Sequence, residues 1–150
     1  MKIRCIANTG ASLPENYLDP AVNRTKETVF RLTVEKEYVV YAIDEAEGKV
    51  WYYICDDNFI YYPQKHCAPL FEVVDNRTSK YWRFNLWENG LLEIAFVHWL
   101  NDPYFYEKLT AREPVEVYLF NRIKALMDAE AESPPEVTEK TEKEWATDRA

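Results

Sequence analysis

Aromatic residues are concentrated in the middle of this 150-residue chain. The segment 38–106 holds eighteen of them in sixty-nine positions, often as neighbours, as in Trp51-Tyr52-Tyr53 and Tyr61-Tyr62. Because successive side chains of a strand point to opposite faces, such runs place rings on both faces of any strand they join. One face can fill a core, and the other must meet a second layer, a partner or water. The pattern therefore predicts a two-faced sheet and a candidate binding surface.

Short β-branched and aromatic segments, separated by turn residues, make up most of the first hundred residues. The predicted strands lie at 3–7, 30–34, 38–43, 50–55, 59–62, 70–74, 81–87 and 91–97. Asn89-Gly90 favours a hairpin between the last two, although helical spacing within 91–100 keeps a helix there as the alternative. Residues 8–26 and 64–66 are predicted to be loops, because they are rich in turn-forming or polar residues.

Helix start signals appear after residue 101. Asp102-Pro103 and Glu113-Pro114 each supply a capping residue followed by proline at the first helical position. The second helix is predicted to bury one stripe against the sheet. The residues of this stripe are Val115, Leu119, Ile123 and Leu126, with Phe120 and Met127 beside them.

These elements predict one α+β domain over residues 1–131. Its expected core is a small bent antiparallel sheet or an SH3-like barrel of five to seven strands, with C-terminal helices packed on it. Residues 132–150 have little apolar content and carry six acidic and three basic side chains, so we expect a disordered acidic tail.

The charge balance limits the class of partner. The chain has a formal net charge of −8 and a pI of about 4.9. This charge opposes binding to nucleic acid or to anionic membranes, and it favours another protein that has a basic surface. No signal-like apolar region follows Met1, and three cysteines are too few for a disulfide framework, so a cytoplasmic location is expected. The oligomeric state is left open by the sequence.

One group of residues could carry enzyme chemistry: Cys55, Asp56, Asp57, His66 and Cys67. A catalytic cysteine needs a base that holds it as thiolate, and no spacing here requires such a contact. Asp56-Asp57-Asn58 is explained by turn chemistry alone. No metal or cofactor is expected, because paired Cys or His ligand motifs and glycine-rich phosphate loops are missing. A cysteine or carboxylate enzyme and a small-ligand sensor remain the alternatives to a binding protein.

The candidate contact surface combines rings with nearby carboxylates. Tyrosine and tryptophan inside a polar rim are typical of the residues that dominate protein interfaces. Grooves that bind nucleic-acid bases are positively charged, so an acidic groove is not suited to them. The predicted partner-binding residues are Glu45, Glu47, Asp56, Asp57, Tyr61 and Tyr62.

Three segments resemble small bacterial immunity-type proteins, namely residues 36–41 (KEYVVY), 50–57 (VWYYICDD) and 81–84 (YWRF). Proteins of that kind are encoded beside toxins of contact-dependent and other polymorphic systems, and they neutralise those toxins by binding. The resemblance implies a non-enzymatic protein-binding module, an inhibitor that occludes a basic surface of a toxin or nuclease. It assigns no functional residue, because immunity proteins differ widely in fold.

Overall fold

A computed structural model describes residues 1–133 and shows an α+β fold, as predicted. Eight strands form two antiparallel sheets, and three helices follow them. The described part of the chain contains no closed barrel. The strands are β1 (Lys2–Cys5), β2 (Glu37–Val39), β3 (Ala42–Ala46), β4 (Lys49–Ile54), β5 (Gln64–Cys67), β6 (Phe71–Asp75), β7 (Trp82–Leu86) and β8 (Leu92–Phe96). The helices are α1 (Val97–Asn101), α2 (Phe105–Thr110) and α3 (Pro114–Glu132).

The two sheets are joined within one predicted strand. The small sheet has the order β2-β1-β6 and the larger sheet the order β5-β4-β3-β8-β7. Residues 38–43 were expected to form a single strand, but the chain changes sheets between β2 and β3. At this point the N–H of Val40 donates to Met1 and that of Tyr41 donates to Tyr53 (2.9 Å). One continuous β-prone segment therefore contributes to both layers.

Alternate residues of β4 pack on opposite sides of the larger sheet. The Tyr52 ring lies 6.0 Å from Phe71 of the small sheet. The Tyr53 ring lies between Trp99 and Tyr106 of α1 and α2, at 5.1 and 5.2 Å. The predicted two-faced sheet is confirmed here, because each face of β4 meets a separate aromatic layer.

Three sequence predictions about the strands are wrong. Residues 30–34 form no strand, and Leu32 is buried by a loop that turns at Glu35, where φ is +73°. Residues 59–62 belong to the irregular loop between β4 and β5 and form no strand. Residues 64–66, predicted as a loop, are part of β5, which pairs with the edge of β4. The polar sequence of β5 gives no strand signal, because this strand is stabilised by its pairing with β4.

The β7–β8 hairpin is confirmed, and residues 92–96 are strand before the chain enters α1. The Trp87 N–H donates to Leu91 (2.8 Å), and Gly90 has a φ of +86°. Glycine is needed at that position because a side chain would strain a positive φ. Gly90 is the one residue of this turn with positive φ, so the turn is not the Asn-Gly type that has two such residues.

Helix α3 begins at Pro114, as the sequence predicts, and ends at Glu132. Phe120 and Met127, predicted to lie beside the stripe, are buried with Ala131, whereas Val115 and Leu126 of the stripe are 64% and 42% exposed. The buried face is therefore shifted from the predicted stripe toward Phe120, which packs against the ring of Tyr41 (5.6 Å). The predicted tail, apart from Glu132 and Ser133, lies outside the described residues.

Helix α2 starts later than predicted, at Phe105. Asp102 was expected to cap the helix, and its carboxylate instead accepts from the N–H of Tyr104 (2.9 Å) in the preceding turn. None of the helices within residues 1–133 has the length and apolar character that crossing a membrane requires.

Candidate functional site

The six predicted contact residues lie in two groups, one near each end of β4. Glu45 lies near the end of β3 and Glu47 in the turn between β3 and β4, and the other four follow the far end of β4. The six residues of β4 separate the groups by roughly 17 Å, at about 3.3 Å per residue. The structure thus does not join them into one acidic and aromatic cluster.

Asp56 points into the protein and is only 5% exposed. Its Oδ2 lies 3.0 Å from Nε2 of His66, and its Oδ1 accepts from the N–H groups of Asn58 and Phe59. Burial opposes ionisation, but the hydrogen bonds outweigh it and the pKa of Asp56 is lowered. The carboxylate holds the turn against β5, and a partner has no direct access to it.

Asp57 is exposed, but its carboxylate already accepts hydrogen bonds from other residues of this chain. Its carboxylate accepts from the Thr33 hydroxyl (2.6 Å), the Tyr38 hydroxyl (2.8 Å) and Nζ of Lys36 (2.7 Å). Partial burial opposes ionisation, yet these three donors lower the pKa of Asp57. This network fastens the 33–38 segment to the turn.

Tyr61 and Tyr62 border an open cavity of about 210 Å³. We call this cavity the aromatic notch, and its lining residues are Tyr61, Tyr62, Leu109, Arg112, Pro114, Val117 and Asn121. The Tyr61 side is open to solvent, since that residue is 60% exposed, whereas Tyr62 packs on Phe59 and Tyr106. The two rings were predicted from the sequence. The opposite wall of the notch was not, because its residues lie some fifty positions further along the chain.

The charge at the notch differs from the sequence prediction. The guanidinium of Arg112 lies over the Tyr61 ring, 5.2 Å from its centre, and no lining residue is a carboxylate. Such a cation–ring contact fixes both side chains and places a positive charge at the rim. The notch can therefore receive an apolar group and pair with a nearby anionic group.

The thiols have an environment that disfavours nucleophilic chemistry. Burial is the main cause that raises the pKa of Cys55 to about 12 and that of Cys67 to about 11, and it also raises the pKa of Cys5. A catalytic cysteine needs the opposite shift. His66, the candidate base, is buried and has its Nε2 engaged by Asp56. Within residues 1–133, no group of three or more His, Cys, Asp or Glu side chains could hold a metal ion.

A second carboxylate site was missed by the sequence reasoning. Asp44 of β3 is 4% exposed and lies opposite Glu93 of β8. Its Oδ2 accepts from the Tyr53 hydroxyl (3.0 Å), and Nζ of Lys65 lies 3.8 Å away. Strand alternation could have indicated this site, because Asp44 shares a face with the buried Ala42.

Burial and the adjacent Asp44 raise the pKa of Glu93 to about 7. The indole groups of Trp87 and Trp99 oppose this rise in part. Oδ1 of Asp44 is buried and has no other hydrogen-bond donor among the described residues. We call the two carboxyl groups, which face each other across β3 and β8, the acid pair.

Comparison with protein-family models finds no match to this chain. Comparisons with curated proteins and with solved structures find no match either.

Proposed function

We propose that this protein is a non-enzymatic binding module and that its aromatic notch receives a side chain of a partner protein. The observation that carries the proposal is the open cavity beside Tyr61, a ring that is 60% exposed and held in place by Arg112. Partly exposed, prearranged aromatic residues are frequent energetic centres of protein interfaces. Prearrangement also reduces the entropy lost on binding.

The size of the notch favours a protein side chain over a free small molecule. Pockets for metabolites and drugs usually enclose about 300–1,000 Å³. The notch encloses about 210 Å³ and is open on one side, which suits one large apolar or aromatic side chain. The sensor alternative therefore receives less support, and the raised thiol pKa values weaken the cysteine-enzyme alternative.

The partner that best fits the overall charge is a protein with a basic surface. The net charge of −8 would attract such a protein over distance, and Glu47, exposed at the far end of β4, would contribute to that field. Toxins that cleave nucleic acids have basic surfaces, because they bind phosphates. We therefore propose an immunity or inhibitor role, in which the notch anchors the complex and the acidic surface accelerates its formation.

The test begins with capture of the partner from the native lysate, identification by mass spectrometry and purification. Its Kd is then measured for the wild type, Tyr61→Ala and Tyr104→Ala. Tyr104 is a matched control, since it is equally exposed at 60% and does not line the notch. Loss of a central aromatic anchor costs 2 kcal/mol or more, so Tyr61→Ala should weaken binding about 30-fold or more.

Tyr104→Ala should stay within about threefold of the wild type, as expected for a residue outside an interface centre. The association rate should also fall as salt is raised, because the proposed attraction is electrostatic. Equal affinities for wild type and Tyr61→Ala would exclude the notch as the anchor. A partner with an acidic surface, or an association rate independent of salt, would exclude the charge argument.

A further inference from the structure

The aromatic notch lies beside the first turns of α3, where Pro114, Val117 and Asn121 form one of its walls. The rest of the helix leads away from the notch and ends at Glu132. Because an α-helix rises about 1.5 Å per residue, Ser133 lies roughly 18–24 Å along the helix axis from Asn121 and Val117. A segment that follows α3 therefore reaches the notch if it returns along the helix over that distance.

The sequence beyond Ser133 contains one aromatic residue, Trp145, which lies outside the described residues. Twelve residues connect Ser133 to Trp145, and a flexible peptide of that length spans roughly 20 Å on average. A tethered group has its highest effective concentration where the average span of its linker equals the distance to be crossed. Val137, the other large apolar residue of this segment, reaches at most about 14 Å from Ser133 and falls short. The spacing therefore selects Trp145.

The charge at the rim of the notch supplies a second match. Arg112 is the one charged residue of the lining, and its guanidinium forms no ion pair with any residue of 1–133. Trp145 follows Glu144 directly and precedes Asp148 by three positions. A large ring can fill a cavity of about 210 Å³ while a neighbouring carboxylate pairs with the guanidinium. Segment 134–150 carries both groups within five residues.

From these two matches we propose that Trp145 of the chain's own segment 134–150 occupies the aromatic notch when no partner is bound. Its ring covers Tyr61, and a carboxylate of Glu144 or Asp148 pairs with Arg112. A partner must then displace Trp145 before its own side chain can enter. This displacement rests on the proposed function of the notch, whereas the contact of Trp145 with the notch does not.

The tether determines how strongly the notch is occupied. The effective concentration produced by a short linker is on the order of 1 mM. If the free segment bound the notch with a Kd of about 100 µM, the tethered Trp145 would fill it in about 90% of the molecules. The notch would then be open to a partner in about one molecule in ten, which lowers the apparent affinity for that partner about tenfold.

Fluorine NMR of the full chain labelled with 5-fluorotryptophan tests the contact. The chain has five tryptophans, and the Trp145 signal is the one that Trp145→Phe removes. Tyr61→Ala and Arg112→Gln should each move this signal toward that of the free labelled peptide 138–150. Tyr104→Ala, equally exposed and outside the notch, should leave it in place. A wild-type Trp145 signal at the free-peptide position, or one that ignores both substitutions, would overturn the proposal.

Dilution separates the chain's own Trp145 from that of a second copy. A tethered group has an effective concentration that does not depend on the protein concentration, so the Trp145 signal should stay in place from about 500 to 20 µM. If Trp145 instead enters the notch of another copy, dilution moves the signal toward the free-peptide position. That result would exclude the contact within one chain.

The displacement is measured with the captured partner. Trp145→Ala should bind the partner about tenfold more tightly than the wild type, because the competing side chain is gone. Equal Kd values for these two chains would overturn the proposed regulation. If Tyr61→Ala leaves the Kd of the partner unchanged while the Trp145 signal still depends on Tyr61, the contact stands and the partner role of the notch fails.

Discussion

Two buried carboxylate sites in this small domain have opposite pKa shifts. Asp56 and Asp44 are almost equally buried, at 5% and 4% exposure. Asp56 faces His66 and two backbone N–H groups, and its pKa is lowered. Glu93 faces Asp44, and its pKa is raised to about 7. Burial favours the neutral carboxyl group in both places, so the partner decides the sign of the shift.

The two sites also differ in what they contribute to the fold. The Asp56 carboxylate joins the turn after β4 to β5 through His66 and so supports the loop that leads to the aromatic notch. The Asp44–Glu93 pair lies across β3 and β8, whose backbones are already paired, so it adds no connection between them. Removing Asp56 leaves polar groups unpaired, whereas removing one charge of the acid pair relieves repulsion.

The largest expected effect comes from Asp56→Ala. It leaves the buried His66 and two N–H groups without their acceptor, so the free energy of unfolding should fall by about 3 kcal/mol, measured by urea denaturation at pH 7. Because the folded-state pKa of Asp56 lies below its usual 3.8, this contribution is present above pH 3.8 and is lost as pH falls through the lowered value. A loss below about 1 kcal/mol would contradict a structural role for the pair.

Glu93→Gln should have a smaller effect of the opposite sign. The folded state holds the Glu93 proton more tightly than the unfolded chain does, because the pKa rises from 4.5 to about 7. Wild-type stability should therefore decline as pH rises from about 4.5 to 7, and Glu93→Gln should flatten this decline. At pH 8 the variant should be more stable by about 2 kcal/mol, a value reduced from the full shift because Glu93 is partly solvated.

Urea denaturation at pH 5, 6, 7 and 8 measures this dependence. Glu27→Gln is the control, since it makes the same substitution at an exposed position. A decline that persists unchanged in Glu93→Gln would show that the acid pair does not cause it.

The sequence predicted elements whose signals are local. Strand β4 and the β7–β8 hairpin were found because residue alternation and turn residues specify them within a few positions. Turn chemistry around Asp56 was also predicted, and its hydrogen bond to the Asn58 N–H confirms it. The second oxygen of Asp56 meets His66 ten residues later, a contact that no local pattern encodes.

The candidate site likewise has residues that the local sequence reveals and residues that only tertiary packing brings in. Tyr61 and Tyr62 were recognised from the aromatic runs, because composition alone marks them. Arg112 and the wall of α3 reach them only through tertiary packing, so the positive charge at the notch was not predicted. The shift of the buried face of α3 toward Phe120 has the same origin, since Phe120 packs on Tyr41, a residue far away in the sequence.

The smallest expected effect comes from Lys36→Met. It tests whether burial, more than charge, explains why Asp56 and Asp57 of one turn contribute differently to stability. Asp57 lies 2.7 Å from Nζ of Lys36, closer than the 3.0 Å between Asp56 and His66, but the Lys36 side chain is 48% exposed. Lys36→Met should therefore cost less than about 1 kcal/mol after solvent screening, and Thr33 and Tyr38 still donate to the carboxylate. Urea denaturation at low salt and at high salt should show the wild-type advantage shrinking as salt rises. A cost equal to that of Asp56→Ala, insensitive to salt, would mean that burial does not account for the difference between these neighbouring carboxylates.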